Sequence, residues 1–209
     1  MKFFAVLLAA ASLLLPPGAQ AQDATAPDAL VKKVTTDVLD IIRKDKDIQA
    51  GSTKQAVDLI EKKVLPHFNF AHMTALAMGK EWRQTNPAQQ KVLTEEFHTL
   101  LVRTYSNALT AYKNQTVEFK PLQVQPGDTD VTVRTQINQP GGKPLTLDYS
   151  MEKLPQGWKV YDVVVAGVSL VTNYRESFST EVRNGGVDGL IKTLQAKNGS
   201  AQDAAASKK

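Results

Sequence analysis

The apolar residues of this chain change their spacing twice, and that change dictates the kind of fold available to it. Leu93, Phe97, Leu101, Tyr105, Leu109 and Tyr112 follow one another in steps of three or four, and Val92, Leu100 and Ala108 widen the stripe. From Gln115 the step falls to two: Val117 and Phe119, then Val131, Val133 and Ile137, then Leu145, Leu147, Tyr149 and Met151. After Ser169 the longer step returns in Val171, Tyr174, Phe178 and Val182. A step near 3.6 is one face of a helix, and a step of two is one face of a strand. Helices, then strands, then helices predict an α+β fold with a single antiparallel sheet.

The punctuation between these runs agrees. Pro27 opens a helix carrying Leu30, Val34, Val38 and Ile41, which Gly51-Ser52 ends before a second helix with Val57, Ile60 and Val64. A short helix is predicted from Phe70 to Met78, stopped by Gly79. Asn86-Pro87 with Gln89 reads as a capping box that starts the long seam, predicted to run unbroken to Tyr112. Pro126-Gly127, Pro140-Gly141-Gly142 and Pro155-Gln156-Gly157 are turns separating four strands. In the fourth, Trp158, Val160 and Val164 alternate with Tyr161, Val163 and Val165, which predicts a strand covered on both faces. Ser169 caps a helix that Gly185-Gly186 interrupts, and Val187, Leu190, Ile191 and Leu194 form a last one. From Asn198 the chain is Ala, Ser, Gln and Lys, a composition that predicts a disordered tail over 198–209.

The first residues read as a secretory signal. Lys2 precedes an apolar run from Phe3 to Leu15, Pro16-Pro17-Gly18 breaks it, and Ala19-Gln20-Ala21 has the small-x-small cleavage pattern. A membrane-spanning helix needs about 20 apolar residues, more than this run supplies. A mitochondrial transit peptide would be Arg-rich, and residues 1–21 hold no Arg. Residues 22–197 are then expected to form one exported domain. It has no cysteine, which excludes disulfides, thiolate chemistry, cysteine metal sites and lipoprotein acylation. Such a domain must hold together by its core alone. The charge of +4 is spread without a long run, and no basic stripe points to nucleic acid.

Few residues suggest catalysis. His67 and His72 stand five apart and share no helical face, and His98 is alone. Ser169 follows Gly167, but Val171 breaks the G-x-S-x-G pattern. Asp148 or Asp162, on strands, offers a general base for an isomerase-like enzyme of NTF2-like shape, without an evident partner acid. The stronger signal is the breadth of apolar surface on the seam and strands. Periodicity alone does not distinguish a filled core, as in an envelope scaffold protein, from an apolar pocket.

Particular segments carry a resemblance. Leu65-Pro66-His67-Phe68-Asn69-Phe70, then Ala75 to Arg83, then Thr85-Asn86-Pro87-Ala88-Gln89-Gln90 are similar to the MlaC family. So are Gly157-Trp158-Lys159-Val160-Tyr161-Asp162-Val163, Gly167-Val168-Ser169-Leu170, Asn173-Tyr174-Arg175 and Gly186 to Ile191. The resemblance spans residues 28–197. It implies a periplasmic glycerophospholipid shuttle between an outer-membrane lipoprotein–porin complex and an inner-membrane ABC transporter with its ring-forming lipid-binding subunit. It also implies no enzymatic step and no cofactor. The implied fold is a curved antiparallel sheet of four strands clasped by about six helices, related to the NTF2-like shape, with an apolar pocket between the layers.

On that fold, Phe70, Met73, Trp82, Phe97, Leu101, Tyr105 and Leu109 are expected to face Val133, Tyr149, Val160, Val163 and Val165 across a pocket of roughly 1,000 Å³. Val168 and Tyr174 are expected at its rim, and Arg83, Arg103 and Arg175 as docking charges.

Overall fold

The computed structural model describes residues 25–112 and 114–206. The signal peptide expected over residues 1–21 lies outside them. Helix α1 (Pro27–Lys44) begins with Pro27 in its first turn and Asp28 at its positive end, and finishes on Arg43 and Lys44. It stops earlier than the periodicity predicts. Asp45 turns its carboxylate onto the N–H groups of Asp47 and Ile48, at 2.9 and 3.0 Å, and caps a separate turn, α2 (Lys46–Gln49). Gln49 reaches back to donate to the carbonyls of Ile42 and Arg43. Ser52 then caps α3 (Thr53–Lys63) as its sequence suggests. A 3-10 turn, Leu65–His67, leads to α4 (Phe70–Met78), capped by Asn69 and closed at Gly79 with φ +58°.

The long seam also divides. A capping box between Asn86 and Gln89 starts α5 (Pro87–Tyr105), as predicted. The helix ends at Tyr105, where the buried Ser106 hydroxyl donates to the Arg103 carbonyl at 3.4 Å. A serine hydroxyl bonding back into the ladder bends a helix. Beyond it the backbone tightens to three-residue bonds, Leu109 N–H to Ser106 and Tyr112 N–H to Leu109, around α6 (Asn107–Thr110).

Five strands among the described residues form one curved, open, antiparallel sheet in sequence order: β1 (Thr116–Phe119), β2 (Asp130–Asn138), β3 (Leu145–Leu154), β4 (Gly157–Val165) and β5 (Val168–Ser169). Four were expected. Two-residue β5 is too short for any alternation to announce it. The register sets Val133 opposite Tyr149, Tyr149 opposite Val163, Met151 opposite Val160 and Leu147 opposite Val165.

Strand β4 corrects its own reading. The pairing shifts by one residue between Ser150 and Met151, and Tyr161 is left as the extra residue of a β-bulge. A bulge breaks the period of two. Trp158 and Val160 before it, and Val163 and Val165 after it, therefore share one face and one apolar cluster. The alternation slips by one, and the opposite face keeps Val164 beside Asp162.

After the 3-10 turn Thr172–Tyr174, α7 (Arg175–Ala206) carries the chain out, kinked at Gly186 with φ +68°. It continues past the point where disorder was expected. Asn198 is buried, and its amide donates to the carbonyl of Glu96 at 3.0 Å and to its carboxylate at 2.6 Å. Tail composition alone does not reveal such an anchor.

The apolar residues collect in three clusters. The first joins α4, α5 and α7 around Met73, Phe97, Leu101, Phe178, Leu190 and Leu194. The second lines the sheet with Val131, Val133, Met151, Trp158, Val160 and Val163, and takes Val31 from α1. The third, Val38, Ile42, Ile48 and Leu59, binds α1, α2 and α3 together. Among the described residues no helix is long and apolar enough to cross a membrane.

Candidate functional site

The sheet cluster and the first helical cluster hold separate sets of buried residues. Phe68 alone among the partly buried side chains packs against both. It sits beside the edge of β4, bridged to Val160, and the Asn69 N–H donates to the Val160 carbonyl at 2.8 Å. Helices α5 and α7 pack chiefly on each other and on α4. The sheet's helical neighbours are instead α1, α4 and the Leu65–His67 and Thr172–Tyr174 turns. Two apolar layers are thus pinned along one edge rather than interdigitated throughout.

The margins of both layers are apolar and half-buried. On the helical side stand Phe70, Trp82, Leu100, Tyr105 and Tyr174; on the sheet side Phe119, Leu147, Tyr149, Val165 and Leu170. Each margin carries phenol hydroxyls. Burial, helped by the electrostatic and hydrogen-bonding influence of the neighbouring Tyr174, pushes Tyr105 up to about 12. Burial also pushes Tyr149 up to about 12, against the opposing hydrogen bonds from Thr135 and Thr35. Tyr105 and Tyr149 stay neutral near pH 7, which suits an apolar setting better than a charge would.

The residues expected to line a pocket divide between the layers. Met73, Phe97 and Leu101 lie in the buried centre of the helical cluster, with Phe70, Trp82, Tyr105 and Tyr174 at its margin. Val133, Val160 and Val163 are buried in the sheet cluster, with Tyr149 and Val165 at its margin. Phe97 is fully enclosed, edge-on to Tyr174 and Phe178 at ring distances of 5.1 and 5.2 Å. Leu109 belongs elsewhere: the break at Ser106 sends it to the third cluster. Val168 does not pack at a rim but is 56 % exposed on a hairpin. Sequence reasoning passes over Phe68, Met151, Leu147 and Leu170; the alternation through Leu147 and Met151 already placed those two on the face of Tyr149.

Two surface clefts of about 410 and 430 Å³ lie away from this interlayer region. One follows α7 at Thr172, Arg175, Glu176, Ser179 and Arg183; the other is bounded by Ile42, Arg43, Gln49, Thr110, Tyr112 and Asn114. Neither is the apolar pocket that the sequence led us to expect.

The arginines expected to dock partners are largely committed inside the molecule. Arg175 donates from Nε and Nη2 to the Leu76 carbonyl, at 3.1 and 2.8 Å, while its side chain lies against Gly79. Arg103 donates to the Asn198 carbonyl. Arg83 is exposed.

The carboxylates considered as general bases are placed otherwise. Asp162 is buried; Oδ1 accepts from the N–H groups of Val163 and Val171, and Oδ2 accepts from the Ser169 hydroxyl at 2.6 Å. It staples the chain across the β4–β5 hairpin. Asp162→Ala should cost about 2 kcal/mol in urea unfolding, because it leaves buried donors unpaired. An unchanged midpoint would show that water replaces the staple. Asp148 stands opposite Arg134 on the outward face of β3. Of the histidines, His72 lies 2.9 Å from Glu152 and stacks on Tyr161, and His98 meets Phe70 edge-on. No metal-binding cluster occurs among the described residues.

Known proteins resemble this chain in sequence and in fold. A phospholipid-binding protein from Ralstonia solanacearum, solved in complex with a phospholipid, is 40% identical and superposes with a TM-score of 0.76, covering 85% of this chain and 98% of that one. The intermembrane phospholipid transport system binding protein MlaC of Haemophilus influenzae is 27% identical over 158 residues, 71% of this chain and 74% of its own. The toluene tolerance protein ttg2D of Pseudomonas putida is 26% identical over 190 residues, 90% of this chain and 85% of its own. The profile of the MlaC protein family matches residues 32–196, from within α1 to the last buried turns of α7, so the chain belongs to the MlaC family.

Proposed function

We propose that this protein is a periplasmic carrier of glycerophospholipids that holds acyl chains between its sheet and its first helical cluster and catalyses no reaction. The observation that carries this reading is the pair of apolar layers joined at Phe68, with half-buried apolar margins on both sides. The phospholipid bound to the Ralstonia relative supports it. The carrier needs no cofactor. It exchanges its cargo, as a monomer, with an outer-membrane lipoprotein–porin complex and an inner-membrane ABC transporter bearing a ring-forming lipid-binding subunit.

The energetics suit a shuttle. Shielding an acyl chain from water is worth about 0.8 kcal/mol per methylene, so a diacyl lipid does not cross an aqueous space alone. Against a bilayer the same contribution nearly cancels, since the tails leave one apolar medium for another. Loading and release then turn on small differences at each docking site.

Protein purified from bacteria should release phospholipid into a solvent extract in near-stoichiometric amount, measured by mass spectrometry. An extract without lipid, together with turnover of a small carbonyl compound that depends on Asp148 or Asp162, would instead support the isomerase-like activity. Absence of both lipid and turnover would leave an envelope scaffold protein with an ordinary core.

A further inference from the structure

The inner face of the sheet is filled at one end and loosely covered at the other. Strand register lays that face out in rows. Val131, Met151 and Val160 form one row, all buried, and α1 adds Val31 to their cluster. Val133, Tyr149 and Val163 form the next. Phe119, Thr135, Leu147 and Val165 form a third, in which Thr135 is buried and the three apolar side chains are half-buried. The change from filled to loosely covered falls at Tyr149.

Three hydroxyls meet at that boundary. Tyr149 shares hydrogen bonds with Thr35, one helical turn beyond Val31 on α1, and with Thr135 of β2. Thr135 in turn donates to the Leu147 carbonyl at 2.7 Å. The phenol is therefore tied at its tip to a helix and a strand, while Val133 and Val163 flank it on the sheet. Pushing it aside would leave buried hydroxyls unpaired, and an acyl chain offers them nothing in exchange. An apolar side chain in the same place would have no such ties and would yield by changing rotamer.

We propose that Tyr149, held by Thr35 and Thr135, closes the inner end of the lipid slot and sets the longest acyl chain the protein accepts. The proposal rests on the carrier reading, with acyl chains entering over the half-buried row of Leu147 and Val165. A chain that outreaches the stop leaves its surplus methylenes in water at the open end, and each one lowers binding about fourfold. Chains that fit escape this penalty. Selection is one-sided: long chains are rejected and shorter ones pass.

The test uses cells fed fatty acids of graded length, so that their membranes hold chains on both sides of the cutoff. Phospholipid extracted from the purified protein is compared by mass spectrometry with the total phospholipid of the same cells. The wild-type pool should fall about fourfold per methylene beyond a cutoff. Tyr149→Leu shortens the stop and should move the cutoff to longer chains. Tyr149→Phe, and Thr35→Val on the facing helix, keep the ring but loosen it; both should hold the cutoff in place and flatten the fall beyond it. A purely structural role would lower the melting temperature or the amount of bound lipid without moving the length profile. A wild-type profile that copies the membrane's, or a cutoff that Tyr149→Leu leaves in place, overturns the proposal, while the lipid in those extracts keeps the carrier reading. Should Tyr149→Leu not fold, an unchanged fall in Tyr149→Phe and Thr35→Val overturns it equally. Wild-type protein that yields no phospholipid overturns the carrier reading and the gauge together.

Discussion

Tyr105→Glu is expected to give a folded protein that carries no phospholipid. Tyr105 is the last residue of α5, half-buried at the margin of the helical cluster and hydrogen-bonded to Tyr174. In a lipid slot, a carboxylate there repels acyl chains, yet once the slot is empty water can enter and solvate the charge. In a dry core the same carboxylate would have no partner and would destabilise the fold by several kcal/mol. Bound lipid itself stabilises the native state by mass action, so delipidated wild type is the reference. The variant should melt near that reference, and its solvent extract should contain almost no phospholipid. Collapse of expression and melting temperature would place Tyr105 in a packed core. A well-folded variant with a full complement of lipid would place it on another surface.

Phe97→Ala should behave in the opposite way. Phe97 is fully enclosed, with two aromatic neighbours edge-on. Truncating such a side chain leaves a cavity and should cost about 3–5 kcal/mol in urea unfolding of delipidated protein. Lipid bound per folded molecule should change little, because Tyr174 and Phe178 stand around the ring. A small loss of stability together with a large loss of lipid would make Phe97 a direct wall of the slot. The two substitutions lie two helical turns apart on one stripe, and together they locate where α5 passes from core to margin.

The sequence made the layers legible because helical and strand periods are written in the apolar residues themselves. The capping box at Asn86, the stop at Gly79 and the turns at Gly141 and Gly157 are local signals, and the chain folds accordingly at each. What was hidden depends on single polar atoms. Asp45 and Ser106 each divide a helix that keeps its apolar period across the break. Arg103 and Arg175 look like free surface cations in sequence, but backbone carbonyls far along the chain receive them. Asp162 looks like an isolated strand acid until Ser169 and Val171 fold back onto it. The candidate site was half legible for the same reason. Its residue types are set by the periods. Whether Leu109 and Val168 take part is decided by a helix break and a two-residue strand that no period records.

The bulge at Tyr161 makes β4 a strand written in two reading frames. Trp158 and Val160 follow one parity, Val163 and Val165 the other, and Tyr161 is the residue that changes between them. Removing Tyr161 would restore a continuous alternation and leave Trp158, Val160, Val163 and Val165 together on the inner face, with Asp162 and Val164 still turned outward. A deletion of one residue at the bulge would thereby do less damage than a deletion elsewhere in the strand, which exchanges the faces of a half-strand at once. The same frame shift governs comparison between relatives. An ungapped alignment with a relative that lacks the bulge matches side chains that point to opposite faces of the sheet, however high its identity.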